Sequence, residues 1–232
     1  MEDYFERRDL TAPAEEPLKK IPRFLQRVLP ENRDLKILDL GCGFGSMLLS
    51  FRSAGYQDLK GVDSSQRAVE YCQNQGLKVE RAMVGDFLNR NQEQYDLVIM
   101  THVLEHLAKE EVISVLTKIY HSLLGENGQL FLTVPNAQAS TGCYAMFGDF
   151  THQTIYTSDS LIYVLRAAGF SKISFLDIDC TSEIPPLKKI LRKAALFIYK
   201  GVIGAINRIP HTYYRPGGVD ILSFEIKVIA QK

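Results

Sequence analysis

The most informative stretch of this 232-residue sequence reads Ile37-Leu38-Asp39-Leu40-Gly41-Cys42-Gly43-Phe44-Gly45-Ser46. Its apolar residues predict a buried β-strand that ends in a glycine loop, and residues 47–54 predict a helix. Glycine tolerates positive φ and lets the backbone approach a ligand closely. The first N–H groups of a helix lack intrahelical partners. The stretch therefore predicts a ligand site in which backbone groups face the ligand.

The spacing of the glycines indicates which kind of ligand the loop binds. Dinucleotide-binding loops have the pattern G-x-G-x-x-G, whereas Gly41-x-Gly43-x-Gly45 is one residue shorter and Asp39 stands two places before it. This disfavours a dinucleotide oxidoreductase. The pattern closely resembles the cofactor loop of class I S-adenosylmethionine (SAM)-dependent methyltransferases, over roughly residues 35–135. The resemblance implies SAM as cofactor and S-adenosylhomocysteine as product.

Composition limits the class of protein. The chain has 27 basic and 27 acidic residues, so its net charge gives no support to a nucleic-acid partner. Its length and 46% hydrophobic content predict one domain over residues 1–232. The four widely spaced cysteines, the charged first residues and the absence of any apolar run of ~18 residues predict a cytoplasmic protein.

Strand and helix signals alternate along the chain. After the first strand, strands are predicted at 59–63, 77–83, 95–101, 129–134, 172–178 and 221–230. Helices are predicted at 21–29, 47–54, 66–75, 109–124 and 158–168, with Ser64 capping the third. The predicted fold is α/β: a Rossmann-like, seven-stranded, mostly parallel sheet with an antiparallel last strand and helices on both faces. Residues 1–30 are predicted as an arm or lid, and residues 181–220 as an insert.

Ligands of such sheets lie beyond the carboxyl ends of the strands, and several polar residues fall there. The resemblance implies that the three glycines lie against the tail and ribose of SAM. It also implies that Asp63 binds the ribose hydroxyls and that Asp86 and Phe87 contact the adenine. Asp39 is expected to hold the amino end of SAM or to orient the loop. Cys42 and Ser64 also belong to the predicted cofactor set, although Cys42 is interpreted as a small packing residue and not as a reactive thiol.

The segment after the fourth strand, His102-Val103-Leu104-Glu105-His106, also spells a zinc-protease pattern. On a helix its two histidines would share a face and could bind zinc. However, it directly follows a buried strand, and it resembles the corresponding stretch of many small-molecule methyltransferases. The resemblance implies that Thr101 and His102 line the sulfonium region, while Glu105 and His106 shape the substrate side. A structural role for Glu105 and His106 at a helix start is the alternative.

A second candidate segment lies in the long loop at 135–156. Methyl transfer to a hydroxyl requires that its proton leave, and histidine has an unperturbed pKa of about 6.5. We predict His152 as general base, oriented by Asp149; a loop histidine bonded to backbone is the alternative. The acceptor-binding residues predicted here are Tyr144, Phe147 and Tyr156. No metal cofactor is predicted, although Asp149, His152, Glu105 and His106 could gather round a divalent ion.

Residues 186–208 carry six basic residues and no acidic residue, with apolar residues at helical spacing. A basic amphipathic helix of this kind predicts peripheral contact with an anionic membrane surface. A helix docked on the domain or at a dimer interface is the alternative. The oligomeric state is not predicted.

The predicted function is SAM-dependent methyl transfer to a hydroxyl oxygen of a small-molecule or glycan acceptor. Loops similar to 148–152 occur in ubiquinone-type O-methyltransferases and in methyltransferases of bacterial surface-sugar clusters. We therefore favour sugars of a surface polysaccharide or a lipid-linked precursor, followed by a quinone-type phenol. A non-catalytic SAM-binding protein would need a damaged loop, and the loop is intact. A nucleic-acid methyltransferase is disfavoured because Val134-Pro135-Asn136 lacks the Asn/Asp-Pro-Pro-Tyr/Phe string.

Overall fold

The computed structural model describes residues 20–208 and 219–232. Its strands are β1 Ile37–Leu40, β2 Leu59–Asp63, β3 Val79–Arg81, β4 Tyr95–Thr101, β5 Leu124–Pro135, β6 Lys172–Leu176 and β7 Glu225–Gln231. Its α-helices are α1 Arg23–Gln26, α2 Ser46–Ser53, α3 Gln66–Asn74, α4 Val84–Arg90, α5 Lys109–Lys118, α6 Gly142–Phe147, α7 Ser158–Ala167 and α8 Pro186–Arg208.

The seven strands form one sheet in the order β3-β2-β1-β4-β5-β7-β6. Neighbouring strands from β3 to β5 pair in parallel, whereas β7 runs antiparallel to both β5 and β6. The predicted fold class and the antiparallel last strand are thus confirmed. The order reverses beside β1, so the carboxyl ends of β1 and β4 form the crevice in which such sheets bind ligands.

Two hydrophobic cores cover the two faces of the sheet. Successive strand residues point to opposite faces, so Leu38 and Val98 pack on the face covered by α5 and α7. Ile37 and Leu97 pack on the opposite face, which α1, α2 and α3 cover. Strands buried on both faces explain the continuous apolar runs in the sequence.

Several predicted boundaries are corrected. The helix predicted at 109–124 ends at Lys118 and continues as a π-helical turn, Ile119–Leu123. Strand β5 begins at Leu124 and contains a bulge. Tyr95 pairs with Leu124 and Leu97 pairs with Gln129, so four residues of β5 lie opposite a single residue of β4. The cap of α3 is Ser65, whose side chain accepts from Ala68 N, and not Ser64.

The last strand begins at Glu225 rather than at 221, because buried Asn136 engages the preceding segment. Its side-chain amide donates to the carbonyls of Ile221 (2.7 Å) and Ser223 (2.8 Å). Its backbone N–H donates to the carbonyl of Phe224 at 2.9 Å. These bonds fix the chain as it enters β7.

The helix predicted over 186–208 is confirmed as α8. Arg192 donates to the carbonyl of Asp179, and Lys200 pairs with the Asp179 carboxylate at 3.4 Å. Among the described residues, no helix combines the length and apolar character needed to cross a bilayer. Residues 1–19 of the predicted arm lie outside the described residues.

Candidate functional site at the carboxyl edge

The glycine loop joins β1 to α2 at the crevice. Gly41, Gly43 and Gly45 all have positive φ, from 50° to 75°. A Cβ at Gly41 would lie 2.3 Å from Cγ2 of Val103 in the segment after β4, so no side chain fits there. The loop therefore presents bare backbone to the crevice, as predicted from its sequence.

Asp63 ends β2 and holds the loop in place. One carboxylate oxygen accepts from Gly43 N at 2.7 Å, and the other accepts from Ser65 N at 2.9 Å. Its side chain is buried beside the loop. A carboxylate has lone pairs beyond those two, so the predicted contact with ribose hydroxyls stays open to it.

Asp39 lies beneath the same loop and is 1% exposed. Its Oδ1 has no hydrogen-bond partner among the described residues. Burial, and secondarily the charge of Asp63, raise the pKa of Asp39 to about 8. A buried carboxyl group in this state favours a donor or cation supplied by a ligand.

One predicted cofactor contact, that of the Phe87 ring, is corrected, and the Cys42 side chain is buried as well. Phe87 is 1% exposed and packs in the core, with Lys60 Nζ 5.0 Å from the centre of its ring, and its N–H donates to Met83. Its ring therefore does not line a cleft. Cys42 is also buried, and its hydrogen bond with Cys72, together with burial, raises the pKa of the thiol. The packing interpretation of Cys42 fits this position. Asp86, in the first turn of α4, and Ser64, two residues before α3, are exposed.

The segment after β4 does not form the helix that a zinc-protease pattern requires. His102 has a φ of 54° and precedes a single 3₁₀ turn, Leu104–His106. Its Nδ1 lies 3.2 Å from Glu105 and its Nε2 lies 3.0 Å from Glu225. Burial lowers the pKa of His102, but the hydrogen bonds to the two carboxylates outweigh burial and raise it to about 9. A protonated His102 thus bridges two acids, and the protease alternative is excluded. Thr101 is half-buried beside it.

The two candidate segments meet at His106 and His152, whose ring centres are 4.8 Å apart. His106 Nδ1 lies 2.9 Å from Thr151 Oγ1, and the Thr151 hydroxyl donates to Asp149 at 2.7 Å. His152 Nδ1 lies 2.7 Å from the carbonyl of Ala145. Asp149 thus contacts both histidines: its carboxylate reaches His106 through Thr151, and its carbonyl accepts from His152 N at 3.2 Å. Its predicted role in orienting His152 stays a prediction.

Main-chain bonds keep the two segments together. The Glu105 carbonyl accepts from Gln153 N at 2.7 Å and from Thr154 N at 3.2 Å. Tyr156 is buried and donates to the carbonyl of Leu104 at 3.4 Å. Tyr156 therefore supports this turn from the core, and its predicted contact with the acceptor is corrected. Burial, more than any nearby charge, lowers the pKa of His106 and keeps its ring neutral.

Tyr144 and Phe147 lie on α6 and project into solvent, 80% and 79% exposed. Among the described residues they do not enclose a pocket, and their predicted contact with the acceptor stays a prediction. Glu225 was missed by sequence analysis because it contacts His102 across 123 positions. Thr151 was missed as well, although it stands directly before His152.

A second depression, of about 370 Å³, lies at the opposite edge of the sheet among Lys36, Lys60, Glu80 and Glu93. Four of its charged side chains form ion pairs, Lys36 with Glu93 and Lys60 with Glu80. It adjoins the amino ends of the strands, where this type of sheet does not bind its ligands.

A glycine loop, an acid at the end of β2 and a sheet with an antiparallel seventh strand together define the SAM-dependent methyltransferases. A family model described as a methyltransferase domain matches residues 8–174, and the chain belongs to this family. Its cofactor is SAM. Two features of the structure fit that cofactor. The backbone at Gly41 has no room for a Cβ, and the buried Oδ1 of Asp39 has no donor within residues 20–208 and 219–232.

Solved structures share this fold. A SAM-dependent methyltransferase from Archaeoglobus fulgidus has a TM-score of 0.65 and 22% identity, over 90% of this chain and 91% of that chain. A phosphoethanolamine N-methyltransferase 2 of Haemonchus contortus, in complex with SAM, has a TM-score of 0.60 and 16% identity, over 90% of this chain and 51% of that chain. At such identities the likeness shows the fold alone.

Two curated relatives match part of the sequence. A carboxy-S-adenosyl-L-methionine synthase of Actinobacillus pleuropneumoniae serotype 3 is 31% identical over 107 residues, 42% of this chain and 44% of the relative. That of Haemophilus ducreyi is 30% identical over 105 residues, 42% of this chain and 43% of the relative. The match thus spans less than half the length of these relatives.

Proposed function

We propose that this chain transfers the methyl group of SAM to a hydroxyl oxygen of a small-molecule or glycan acceptor. The observation that carries the proposal is the pair His106 and His152, with ring centres 4.8 Å apart beside the segment that follows β4. A hydroxyl is a poor nucleophile until it loses its proton, and a histidine suits that transfer near neutral pH.

The protonation of His152 supports its role as base. The carbonyl of Ala145 can only accept, so His152 carries its proton on Nδ1. Nε2 is then the basic nitrogen, and it takes the proton that the acceptor hydroxyl gives up. When bound, SAM supplies an electrophilic methyl group, and the electron pair of the broken carbon–sulfur bond stays on sulfur.

On the cofactor side, the chain orients its ligand through backbone and acids. We propose that Asp63 accepts from the ribose hydroxyls while it holds Gly43, and that Asp39 faces the ammonium group of the amino-acid tail. Asp86, Ser64, Thr101 and His102 keep the roles proposed from the resemblance. The positive charge of His102 is neutralised by its two carboxylate partners, so it does not repel the sulfonium.

The test is methyl transfer by the purified chain to three acceptors: a membrane glycolipid extract, a catechol-type phenol and buffer alone. Mass spectrometry follows the acceptor and S-adenosylhomocysteine. We expect a methyl ether on a sugar hydroxyl, and a rate reduced about 10²–10⁴-fold by His152→Ala. His121→Ala, which alters an exposed histidine in the π-helical turn after α5, is the matched control.

The alternatives give different products in the same experiment. Methylation of the phenol would favour the quinone-type function, and cofactor binding without turnover would indicate a non-catalytic SAM-binding protein. A methyl group on nitrogen or carbon would overturn the proposal. Because of the partial match to the two curated relatives, carboxy-S-adenosylmethionine is monitored in a separate reaction that also contains a carboxyl donor.

We further propose that α8 holds the protein at an anionic membrane surface, where lipid-linked acceptors lie. Because Arg192 and Lys200 pair with Asp179, the opposite, apolar face of the helix points outward. Its side chains Leu187, Ile190, Leu191 and Ile198 are each more than 60% exposed. Lys188 and Lys193 lie at the borders of this face, which suits lipid headgroups of negative charge.

Vesicle sedimentation tests this surface. We expect the chain to sediment with phosphatidylglycerol vesicles and not with phosphatidylcholine vesicles. The double variant Leu191→Asp/Ile198→Asp should abolish sedimentation, whereas Tyr163→Ser, which alters an exposed aromatic residue of α7, should not. Wild-type protein that stays in solution and scatters light as a dimer would instead assign this face to a second copy.

A further inference from the structure

Three side chains with metal-binding atoms converge at the acceptor side of the crevice. Glu105 and His106 come from the 3₁₀ turn after β4, and His152 comes from the loop after α6. One ligand atom of each, a carboxylate oxygen or a ring nitrogen, lies within 4.8 Å of the other two. The bonds from Gln153 and Thr154 to the Glu105 carbonyl hold the two segments in this arrangement.

The hydrogen bonds of the two histidines set their tautomers. The Thr151 hydroxyl donates to Asp149, so its oxygen accepts the Nδ1 proton of His106. His152 donates its Nδ1 proton to the Ala145 carbonyl. On both rings Nε2 is then the unprotonated nitrogen, the form that binds a metal. Histidine ligands are commonly oriented by this kind of bond from their other nitrogen.

Glu105 supplies an independent observation. Its side chain is 0% exposed, and Oε1 lies 3.2 Å from His102 Nδ1. The other oxygen, Oε2, is buried and has no hydrogen-bond partner among the described residues. A buried carboxylate oxygen without a donor is costly, and a cation between Glu105 and the histidines would remove that cost.

We propose that Glu105, His106 and His152 bind a divalent transition-metal cation such as Zn²⁺. Two imidazoles and one carboxylate are a known ligand set for catalytic zinc, and they leave coordination positions open. The soft character of the imidazoles disfavours Mg²⁺, which prefers oxygen ligands. Metal–ligand bonds of about 2.1 Å put ligand atoms about 3.4 Å apart, so binding closes the cluster by roughly 1.4 Å at its widest.

This inference rests on the proposed function for the role of the metal. An acceptor hydroxyl bound at an open position would lose its proton to solvent, keep its electron pair on oxygen and become the nucleophile, because a bound cation lowers its pKa. In that arrangement His152 acts as a ligand, and the cation takes over the activation assigned above to Nε2. Asp149 and Thr151 are then positioning residues for the His106 ligand.

The experiment measures binding directly, on the full chain without a polyhistidine tag and after removal of metals by a chelator. Calorimetry with Zn²⁺ and absorption spectroscopy with Co²⁺ should each show one site, and Mg²⁺ should show none. Glu105→Gln, which preserves the size of the side chain, and His152→Ala should weaken Zn²⁺ binding at least about 10-fold. His121→Ala should not. Retained binding of S-adenosylhomocysteine checks that each variant is folded.

The outcomes separate this site from the proposed function. Absence of a one-to-one Zn²⁺ complex, or unchanged binding by both site variants, would overturn the metal site. Methyl transfer that persists after chelation would refute the role of the metal in activating the acceptor, while leaving the proposed function intact. Stoichiometric binding that depends on Glu105 and His152 would support the site even if no hydroxyl acceptor were methylated, a result that would count against the proposed function alone.

Discussion

Replacement of Asp63 by alanine tests the link between the glycine loop and the cofactor. The substitution removes the acceptors of two backbone donors, Gly43 N at 2.7 Å and Ser65 N at 2.9 Å. A hydrogen bond to a charged group contributes about 1.5–3 kcal/mol. Water can reach half-buried Gly43 and restore part of the loss. We therefore expect the free energy of unfolding to fall by about 3 kcal/mol, measured as a lower urea midpoint at unchanged slope.

The same variant should bind S-adenosylhomocysteine more weakly. Loss of one hydrogen bond from a ribose hydroxyl to a carboxylate costs about 2 kcal/mol, which raises Kd about 30-fold. Calorimetric titration measures this change, with NAD as the control ligand. Asp96→Ala is the matched variant, because the Asp96 carboxylate also accepts from a backbone N–H, that of Lys36 at 2.8 Å, but lies at the opposite edge. Wild-type affinity in Asp63→Ala would refute the assignment of this carboxylate to the cofactor.

Three further predictions concern the loop, the entry to β7 and the buried acid. Gly41→Ala should lower the free energy of unfolding by about 2–4 kcal/mol, because its φ is 72° and its Cβ would overlap Val103. Gly201→Ala, which has open space around it in α8, should cost nothing in the same urea denaturation. Asn136→Ala should cost about 2–4 kcal/mol, against about 0.5 kcal/mol or less for exposed Asn89→Ala. The pKa of Asp39 is about 8 in the folded chain and 3.8 in the unfolded chain. Between these pH values the folded chain therefore retains a proton that the unfolded chain releases. Stability should therefore fall as pH rises from about 4 to about 8, and Asp39→Asn should abolish this dependence of the urea midpoint.

The sequence predicted features whose causes are local. Continuous apolar runs predicted buried parallel strands, and the glycine spacing predicted a loop with positive φ. A gathering of Glu105, His106, Asp149 and His152 was raised only as a possibility, because both segments follow the carboxyl ends of strands. For the strands and the loop, a short pattern and a rule about parallel sheets were sufficient.

Features that depend on distant packing were not predictable. Phe87 was expected at the adenine, but β3 is only three residues long and α4 begins at Val84, so the helix turns this ring into the core. Glu225 reaches His102 only because β7 inserts antiparallel beside β5, with Glu225 opposite Pro135. The residues adjacent in sequence to His102 and Glu225 do not indicate that contact.

The insertion of β7 also constrains the order of events during synthesis. Strands β5 and β6 each pair with β7 and not with one another, so both edges stay unpaired until residues 225–231 leave the ribosome. A nascent chain can form the parallel β1–β5 unit, yet it lacks the second carboxylate of His102. Open strand edges recruit other chains. Translation pauses before residue 225 should therefore promote aggregation. The acceptor side of the crevice should be the last part to reach its native structure.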